Sequence, residues 1–394
     1  MGSAMNGSMG RRWQGVDVLR ALAILFVLTN HVNMRLRIAR IPYTEGLPEQ
    51  LVTLLVWNGQ RGVQIFFAVS GFLITAMSLR RWGSLSQVSV RGFYLMRFAR
   101  IVPLLLLLLG VLSVLHLAQV EHFVVSAKTG GLPRALLAAL TFHVNILEAR
   151  RGYLPGNWDI LWSLSVEEVF YLFFPVVAKL FGRGKLFVVV LLGFVALGPF
   201  ARTVFTHGNE TWKEYSYLGG MDAIALGCLT ALVVARIRFS RMSLWVVWAA
   251  GVVLLVFSLC FSMTGAAWGL GRTGLDMTVV AVGTCLVIAA VAQSEWKGPW
   301  IIGPLLRLGE RSYEVYLTHM FVVFGAFVLF VRAGKPMWAV PALFIGVIVA
   351  AGLLGEMVAR FYSEPLNRAI RERWQRGKRA EEPGIGQIPE RSES

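Results

Sequence analysis

The chain has 394 residues, of which 56% are hydrophobic and 15% are charged, and its formal net charge is +16 at pH 7. A soluble globular domain would have about 45–50% apolar and about 25% charged residues, so the composition excludes an ordinary soluble domain. The basic residues form short groups between apolar runs. That distribution is typical of the loops of a membrane protein, and it argues against a nucleic-acid-binding surface.

Apolar runs of about 20 residues, each long enough to cross a bilayer as a helix, recur along most of the chain. They predict an all-α, polytopic membrane helix bundle with about ten transmembrane helices, at residues 16–34, 62–79, 101–119, 160–180, 186–205, 218–235, 244–263, 275–292, 313–331 and 338–361. The first run contains Asp17 and Arg20 and lacks a clear cleavage site, so we expect a retained span rather than a signal peptide. A shorter apolar run, 134–147, predicts a re-entrant or interfacial helix.

The basic groups predict the orientation of the bundle. With about ten spans, the arginine-rich segments before the first span, between the second and third, and after the fourth, sixth and last all fall on one side, which the positive-inside rule assigns to the cytoplasm. We therefore predict a protein of the bacterial inner membrane with both termini in the cytoplasm. Its parts are a cytoplasmic segment 1–14, a membrane domain 15–366, and a tail 367–394 that is basic and then disordered. Arg35, Arg37 and Arg40 fall on the outer side, where charge does not account for them.

Arg20 and His31 are separated by ten residues in the first predicted span. Eleven helical steps bring the two side chains to within about 20° of one face and about 16 Å apart along the axis. A cation and an imidazole inside a membrane-length helix are costly, which favours a functional polar path. The alternative is that both residues lie at the membrane surfaces.

The fourth predicted span carries a polar stripe, because Ser163, Glu167 and Tyr171 recur every four residues. Glu168 points about 100° away from Glu167, so we predict Glu167 as the interior carboxylate. A histidine and a carboxylate in one cavity suit acid–base chemistry, with His31 as the matching imidazole. The alternative is that both glutamates cap an interfacial helix end.

Arg97 and Arg100 are three residues apart, so they share a helix face on which they could hold phosphate groups. The alternative is the ordinary basic flank of a span. Ser70, beside Gly71, could let helices approach closely or admit an acyl chain. The other polar candidates are Asp222, Tyr316 and His319, for which the alternatives are interfacial aromatic residues and a hydrogen-bonded core histidine.

Taken in order, these motifs resemble the acyltransferase-3 family of integral membrane acyltransferases, which includes the O-antigen acetylases. The resemblance covers about residues 13–366. Its marks are Arg20 and His31 at the spacing of the family's Arg-x10-His motif, the Arg97-x-x-Arg100 pair, Glu364-Pro365, and the runs 66–74, 162–171, 222–227 and 312–319. Gln64 stands where an aspartate is common in the family.

The resemblance implies transfer of an acyl group, with acetyl as the expected case, from cytoplasmic acyl-CoA to a hydroxyl of an envelope polysaccharide, lipid-linked sugar or related glycoconjugate. Arg97 and Arg100 would hold the donor phosphates, and Arg20 would line the path. His31, helped by Glu167, would activate the acceptor or relay the acyl group. Substrate contacts are also expected from Ser70, Asp222, Tyr316 and His319.

Several alternatives stay open at this point. A covalent acyl-histidine and direct transfer fit the sequence equally, and acyl-CoA is expected as a donor substrate rather than as a tightly bound cofactor. No metal site and no esterase-like domain of the kind that some family members carry are expected. A transporter or flippase for acyl or glycan substrates is the main alternative function, and an inactive membrane scaffold is a third.

Overall fold

The structure, a computed structural model, describes residues 13–294 and 296–381, which contain helices and no strands. Ten helices in this part of the chain are long and apolar enough to cross a membrane, which confirms the predicted polytopic bundle. They are α1 (Gln14–Ile38), α2 (Gly59–Trp82), α3 (Val90–Leu117), α4 (Leu161–Phe181), α5 (Lys185–Thr203), α6 (Tyr217–Arg236), α7 (Arg241–Cys260), α8 (Asp276–Gln293), α9 (Ser312–Arg332) and α10 (Val340–Val358). A C-terminal helix, α11 (Glu364–Glu381), follows. Most of the predicted segment 1–14, and the predicted tail beyond residue 381, lie outside the described residues.

The largest departures from the predicted bounds are at the start of the third helix and after the tenth. The third begins at Val90 instead of residue 101, because its basic first turns are helical and Ser89 caps them by accepting a hydrogen bond from the Gly92 N–H at 3.2 Å. After α10 the chain continues through a π-helical turn, Ala359–Ser363, into α11. The first part of the predicted tail is therefore a helix.

The short apolar run 134–147 folds as two helices, Gly131–Leu140 and Val144–Arg151. The first has ten residues and is about 15 Å long, which is half the thickness of a bilayer's hydrocarbon core. It ends where Phe142 adopts a left-handed φ of 54° and the His143 N–H bonds to the Ala138 carbonyl oxygen at 2.9 Å, as in a Schellman motif. Neither helix is long enough to cross.

Glycines let α2 and α6 pack with their backbones in contact. A Cβ atom built on Gly71 would overlap the carbonyl oxygen of Ile224, and one built on Gly227 would overlap that of Ala68. Small residues allow this close approach between membrane helices. Helix packing, one of the roles considered for the Ser70–Gly71 pair, is therefore the role of Gly71.

The first two helices are antiparallel and staggered. The rings of Trp13 and Phe72 are 5.2 Å apart at their centroids, and a Cβ on Gly62 would lie 2.6 Å from the carbonyl oxygen of Ala23. Arg20 lies between these two contacts, beside the first half of α2. The structure therefore places Arg20 inside the bundle rather than at its surface.

Arginines near the other end of α1 stack on aromatic rings. The Arg35 guanidinium carbon lies 4.9 Å from the centroid of the Phe324 ring, and that of Arg37 lies 4.6 Å from the Trp57 ring. Cation–π contact stabilises an arginine without a carboxylate partner. These contacts account for two of the three outer arginines that the positive-inside rule leaves unexplained.

Replacing Gly71 or Gly227 by alanine should destabilise the bundle, because the added methyl group would force α2 and α6 apart at a cost of about 1–3 kcal/mol. Gly110→Ala is the matched control, since a Cβ there would meet nothing within 4 Å. The measurement is the melting temperature of the detergent-solubilised proteins. Equal melting temperatures for Gly71→Ala and Gly110→Ala would contradict the packing.

Single cysteines placed in a background free of the three native ones should test the orientation. Arg91 and Arg376, which are exposed, should react with a membrane-impermeant reagent from the cytoplasm, while Lys128 and Glu210 should react from outside. This follows from the positive-inside rule and from the eight membrane-length helices, α3 to α10, between Arg91 and Arg376. Labelling of Arg91 and Arg376 from opposite sides would show that one of these helices does not cross.

Candidate active site

A cavity of about 700 Å³ opens between α1, α2, α3, α4, α9 and α11. Along α2 its wall runs from Val63 to Trp82. That stretch is about 28 Å long, nearly the thickness of a bilayer's hydrocarbon core. We call the end at Trp82 the mouth, and Phe66, Ser163 and Tyr316 line the other end.

The cavity wall is apolar for most of its length but carries a large excess of positive charge. Among the described residues that line it, six are arginines and one, Glu167, is a carboxylate; the arginines are Arg20, Arg80, Arg81, Arg97, Arg100 and Arg371. The wall thus brings together the predicted residues Arg20, Ser70, Arg97, Arg100, Glu167 and Tyr316. It does not include His31, His319 or Asp222 among the residues described.

The middle of the cavity is a polar cluster built on α2, α3 and α4. The hydroxyl groups of Ser70 and Tyr171 are hydrogen-bonded, and the Arg97 guanidinium carbon lies 4.1 Å from the centroid of the Tyr171 ring. Glu167, one turn before Tyr171, is flanked by the charges of Arg97 and Arg20. The predicted stripe of α4 therefore faces the cavity, and Ser70 reaches it from the opposite wall.

Two of the cavity arginines have carboxylate partners at the wall's edge. An Arg20 guanidinium nitrogen lies 3.3 Å from a carboxylate oxygen of Asp17, and Arg100 lies 3.1 Å from Glu314. The Glu314 side chain is fully buried, so Arg100 neutralises a carboxylate that could not stand alone there. The prediction missed Glu314, although a carboxylate two residues into an apolar span is a signal for it.

The segment that carries Arg97 and Arg100 is held by tyrosines. Pro103 lies inside α3, where its ring and missing N–H interrupt the backbone hydrogen bonds of the turn. The Tyr313 hydroxyl donates to the Ile101 carbonyl oxygen at 3.0 Å, and the Tyr362 hydroxyl donates to that of Pro103 at 3.1 Å. These bonds connect α3 to α9 and to the turn after α10.

Beyond the end of the cavity at Tyr316, two histidines face each other. The rings of His31 and His319 have centroids 5.1 Å apart, and His319 Nδ1 lies 2.6 Å from the carbonyl oxygen of Tyr316. A carbonyl only accepts, so the Nδ1 atom carries the proton and the Nε2 atom of the neutral ring carries the lone pair. That Nε2 atom is buried without a hydrogen-bond partner among the described residues. His319 is therefore oriented as a base.

Tyr316 connects the cavity to this histidine pair. Its hydroxyl donates to the Ile160 carbonyl oxygen at 3.0 Å and lies 2.7 Å from the Ser163 hydroxyl, and its ring lies 5.8 Å from that of His319. Glu167, which the sequence suggested as the helper of His31, lies with Ser70 and Tyr171 instead. The neighbour of His31 is His319.

Carboxyl groups continue the polar path past His31. The negative charge of Asp159 acts on the Arg35 guanidinium. The Oδ1 atom of Asp159 accepts a hydrogen bond from the Tyr215 hydroxyl at 3.1 Å. Burial, together with the nearby Asp159 carboxyl, raises the pKa of Glu148 well above its usual value. Glu148 lies in the short helix at this end, and its Oε1 atom accepts a hydrogen bond from the Leu154 N–H at 3.0 Å.

Asp222 belongs to a separate, buried network. Its carboxylate lies 2.7 Å from an Arg202 guanidinium nitrogen and accepts hydrogen bonds from Gln64 at 3.0 Å and Thr278 at 2.8 Å. These four side chains join α2, α5, α6 and α8, and both charges are almost completely buried. The structure thus gives Asp222 a cross-linking position. Arg202 was missed, although an arginine near the end of an apolar run signals a buried partner.

Comparison with known proteins agrees with these motifs. The model of the acyltransferase-3 family, described as an acyltransferase domain, matches residues 13–356. The O-acetyltransferase OatA of Staphylococcus aureus strain NCTC 8325 / PS 47 is 23% identical over 377 residues, which cover 90% of this chain and 57% of that protein. The putative O-acetyltransferase SAS0844 of strain MSSA476 is 23% identical over 384 residues, which cover 91% of this chain and 58% of that protein.

The chain spans a little over half the length of these relatives. No solved structure matches it significantly. Because the family model covers most of the sequence, including five of the six cavity arginines, the Glu167 stripe, His31 and His319, the chain belongs to the acyltransferase-3 family.

Proposed function

We propose that this chain is an O-acyltransferase of the bacterial inner membrane. It would move an acyl group, with acetyl as the favoured case, from cytoplasmic acyl-CoA to a hydroxyl of an envelope polysaccharide, lipid-linked sugar or related glycoconjugate. The observation that carries the proposal is the arginine-rich cavity that leads from the mouth to Tyr316, beyond which His319 and His31 lie. The two O-acetyltransferase relatives support the same reaction class.

The shape and charge of the cavity suit a coenzyme A thioester. Six arginines against one carboxylate favour a ligand with several phosphate groups, because guanidinium groups bind phosphate oxygens bidentately. The apolar wall between the arginines and Tyr316 suits the uncharged pantetheine arm. In this arrangement the phosphates stay near the mouth and the thioester points towards the histidine pair.

The histidine pair supplies the acid–base chemistry. An imidazole Nε2 atom accepts the proton of the acceptor hydroxyl, the oxygen bonds to the thioester carbonyl carbon, and the carbon–sulfur bond breaks. The leaving thiolate takes up a proton and departs as free CoA. A route in which the imidazole nitrogen carries the acyl group in between uses the same two residues.

In this proposal Glu167 lies in the middle of the cavity, away from the histidine pair, and has a different role. It lies between the charges of Arg20 and Arg97, and its carboxylate offsets part of the positive charge in the middle of the cavity. We assign it a positioning role, holding these two arginines towards the donor. Ser70 and Tyr171 fix the Arg97 side chain from the other side.

Purified protein in lipid nanodiscs, given labelled acetyl-CoA and candidate glycans, tests the proposal. Transfer yields free CoA and a labelled glycan ester together. A transporter or flippase is the second candidate, because the cavity is nearly as long as the bilayer's hydrocarbon core is thick. Such a protein would move substrate without releasing CoA. Labelled glycan without matching free CoA, or neither product with any glycan of the host envelope, would contradict the proposal.

His31→Asn should lower turnover in this assay by at least about a hundredfold, because it removes an imidazole from the acid–base pair. The control is His207→Asn, since His207 is exposed in a loop with a left-handed φ of 47°, which asparagine tolerates. Both variants should insert and purify normally. Wild-type turnover of a well-inserted His31→Asn protein would remove His31 from the mechanism.

Changing Arg97 and Arg100 to glutamine should raise the KM for acyl-CoA by at least about tenfold, equivalent to about 1.4 kcal/mol, while the KM for the glycan stays the same. Glu314→Gln accompanies the change so that no buried carboxylate is left unpaired. Arg241→Gln, at an exposed arginine outside the cavity wall, is the control. If both KM values shift together, the arginines support the fold rather than the donor.

A further inference from the structure

The C-terminal helix α11 brings one arginine to the cavity mouth. Arg371 is an exposed residue of the cavity wall, although it lies beyond the last membrane-length helix in sequence. The charged groups that act on it are Arg81, Arg97 and Arg100. Four guanidinium groups from three helices therefore act on one another between the middle of the cavity and its mouth.

Arg371 differs from its neighbours on α11. Arg368 lies 3.8 Å from Glu364 and Arg376 lies 3.9 Å from Glu372, so each has a carboxylate four residues away on the same helix. The residues four positions from Arg371 are Asn367 and Gln375, which are uncharged. Arg368 and Arg376 are thus balanced within the helix, whereas Arg371 lies at the mouth among other cations.

Two contacts fix the position of α11, one at its start and one just after Arg371. At its start, Arg311 lies 3.0 Å from Glu356 and is also ion-paired with Glu364. One turn after Arg371, the Trp374 ring packs against Gly92 of α3. A Cβ atom built on Gly92 would lie 3.5 Å from that ring. Residues three apart share a helix face, so Arg371 is turned with Trp374 towards α3.

Cations gathered in this way repel one another, and an anion that binds among them removes the repulsion. The mouth arginines also lie at a different depth from the inner pair. Arg97 is stacked on Tyr171 in the middle of the cavity, whereas Arg81 and Arg371 lie at the rim. The arrangement offers two phosphate positions in sequence, one inner and one outer.

We propose that Arg371 and Arg81 form an outer anion subsite that holds the 3′-phosphate of the CoA donor, while Arg97 and Arg100 hold the diphosphate. This rests on the proposed donor. In coenzyme A the diphosphate lies between the pantetheine arm and the 3′-phosphorylated nucleoside. With the thioester towards Tyr316, the diphosphate therefore comes to the inner arginines and the 3′-phosphate to the rim.

The test compares binding of CoA and of 3′-dephospho-CoA, which lacks only that phosphate. Wild type, Arg371→Gln and Arg376→Gln are placed in phosphatidylcholine nanodiscs, and each Kd is measured by titration calorimetry. Arg376 is the matched control, an exposed arginine of the same helix that pairs with Glu372. We expect wild type and Arg376→Gln to bind CoA at least about fivefold more tightly than dephospho-CoA, as suits an exposed charge pair. Arg371→Gln should lose that preference and keep its Kd for dephospho-CoA.

Each other outcome overturns the assignment in a distinguishable way. If Arg371→Gln weakens both ligands equally, or neither, Arg371 does not recognise the 3′-phosphate. If it leaves the preference intact but loses bound phosphatidylglycerol when that lipid is added to the nanodiscs, the rim binds a lipid headgroup phosphate instead. If wild type binds neither nucleotide, the donor itself is wrong and the proposed function fails with the subsite.

Discussion

Positive charge held inside an apolar helix bundle is the constraint on which the rest of this structure depends. A guanidinium group away from water costs several kcal/mol unless a carboxylate, an aromatic face or a ligand compensates it. The protein uses the first two at different depths. Arg20 and Arg100 have carboxylate partners, Arg97 and Arg35 lie over aromatic rings, and Arg81 and Arg371 stay at the hydrated rim.

Charge balance distinguishes two polar regions of the bundle, the Asp222 network and the cavity. The Arg202–Asp222 network contains one positive and one negative group, with Gln64 and Thr278 completing the hydrogen bonds. Its charges balance and its side chains bond to one another, so no ligand is required to neutralise it. The cavity has the opposite character, because its arginines outnumber its carboxylate and its mouth is open. The proposed donor, with its several phosphates, would supply the negative charge that the cavity lacks.

Hydrophobic periodicity predicted the membrane helices because length and apolarity decide which segments can span. It also placed Ser163, Glu167 and Tyr171 on one face, since a helix fixes its own stripe. It could not show that Glu167 and His31 lie at different levels, because that depends on how neighbouring helices are staggered. The contacts of Trp13 with Phe72 and of Ala23 with Gly62 show the stagger of α1 against α2, for example, and no pattern within either helix encodes it. Arg371 was missed for a related reason. Nothing in a run of basic residues shows that its helix packs beside the cavity.

The two walls of the cavity differ in stiffness. On one side, Gly71 and Gly227 bring α2 and α6 into backbone contact, so neither helix can shift without steric overlap. On the other side, α3 is tied by the hydroxyls of Tyr313 and Tyr362, and hydrogen bonds of this kind can be exchanged at modest cost. On the proposed function, the nucleotide would therefore enter by displacing α3 rather than α2. Since α3 also carries Arg97 and Arg100, the side chains proposed to bind the donor would move with that helix.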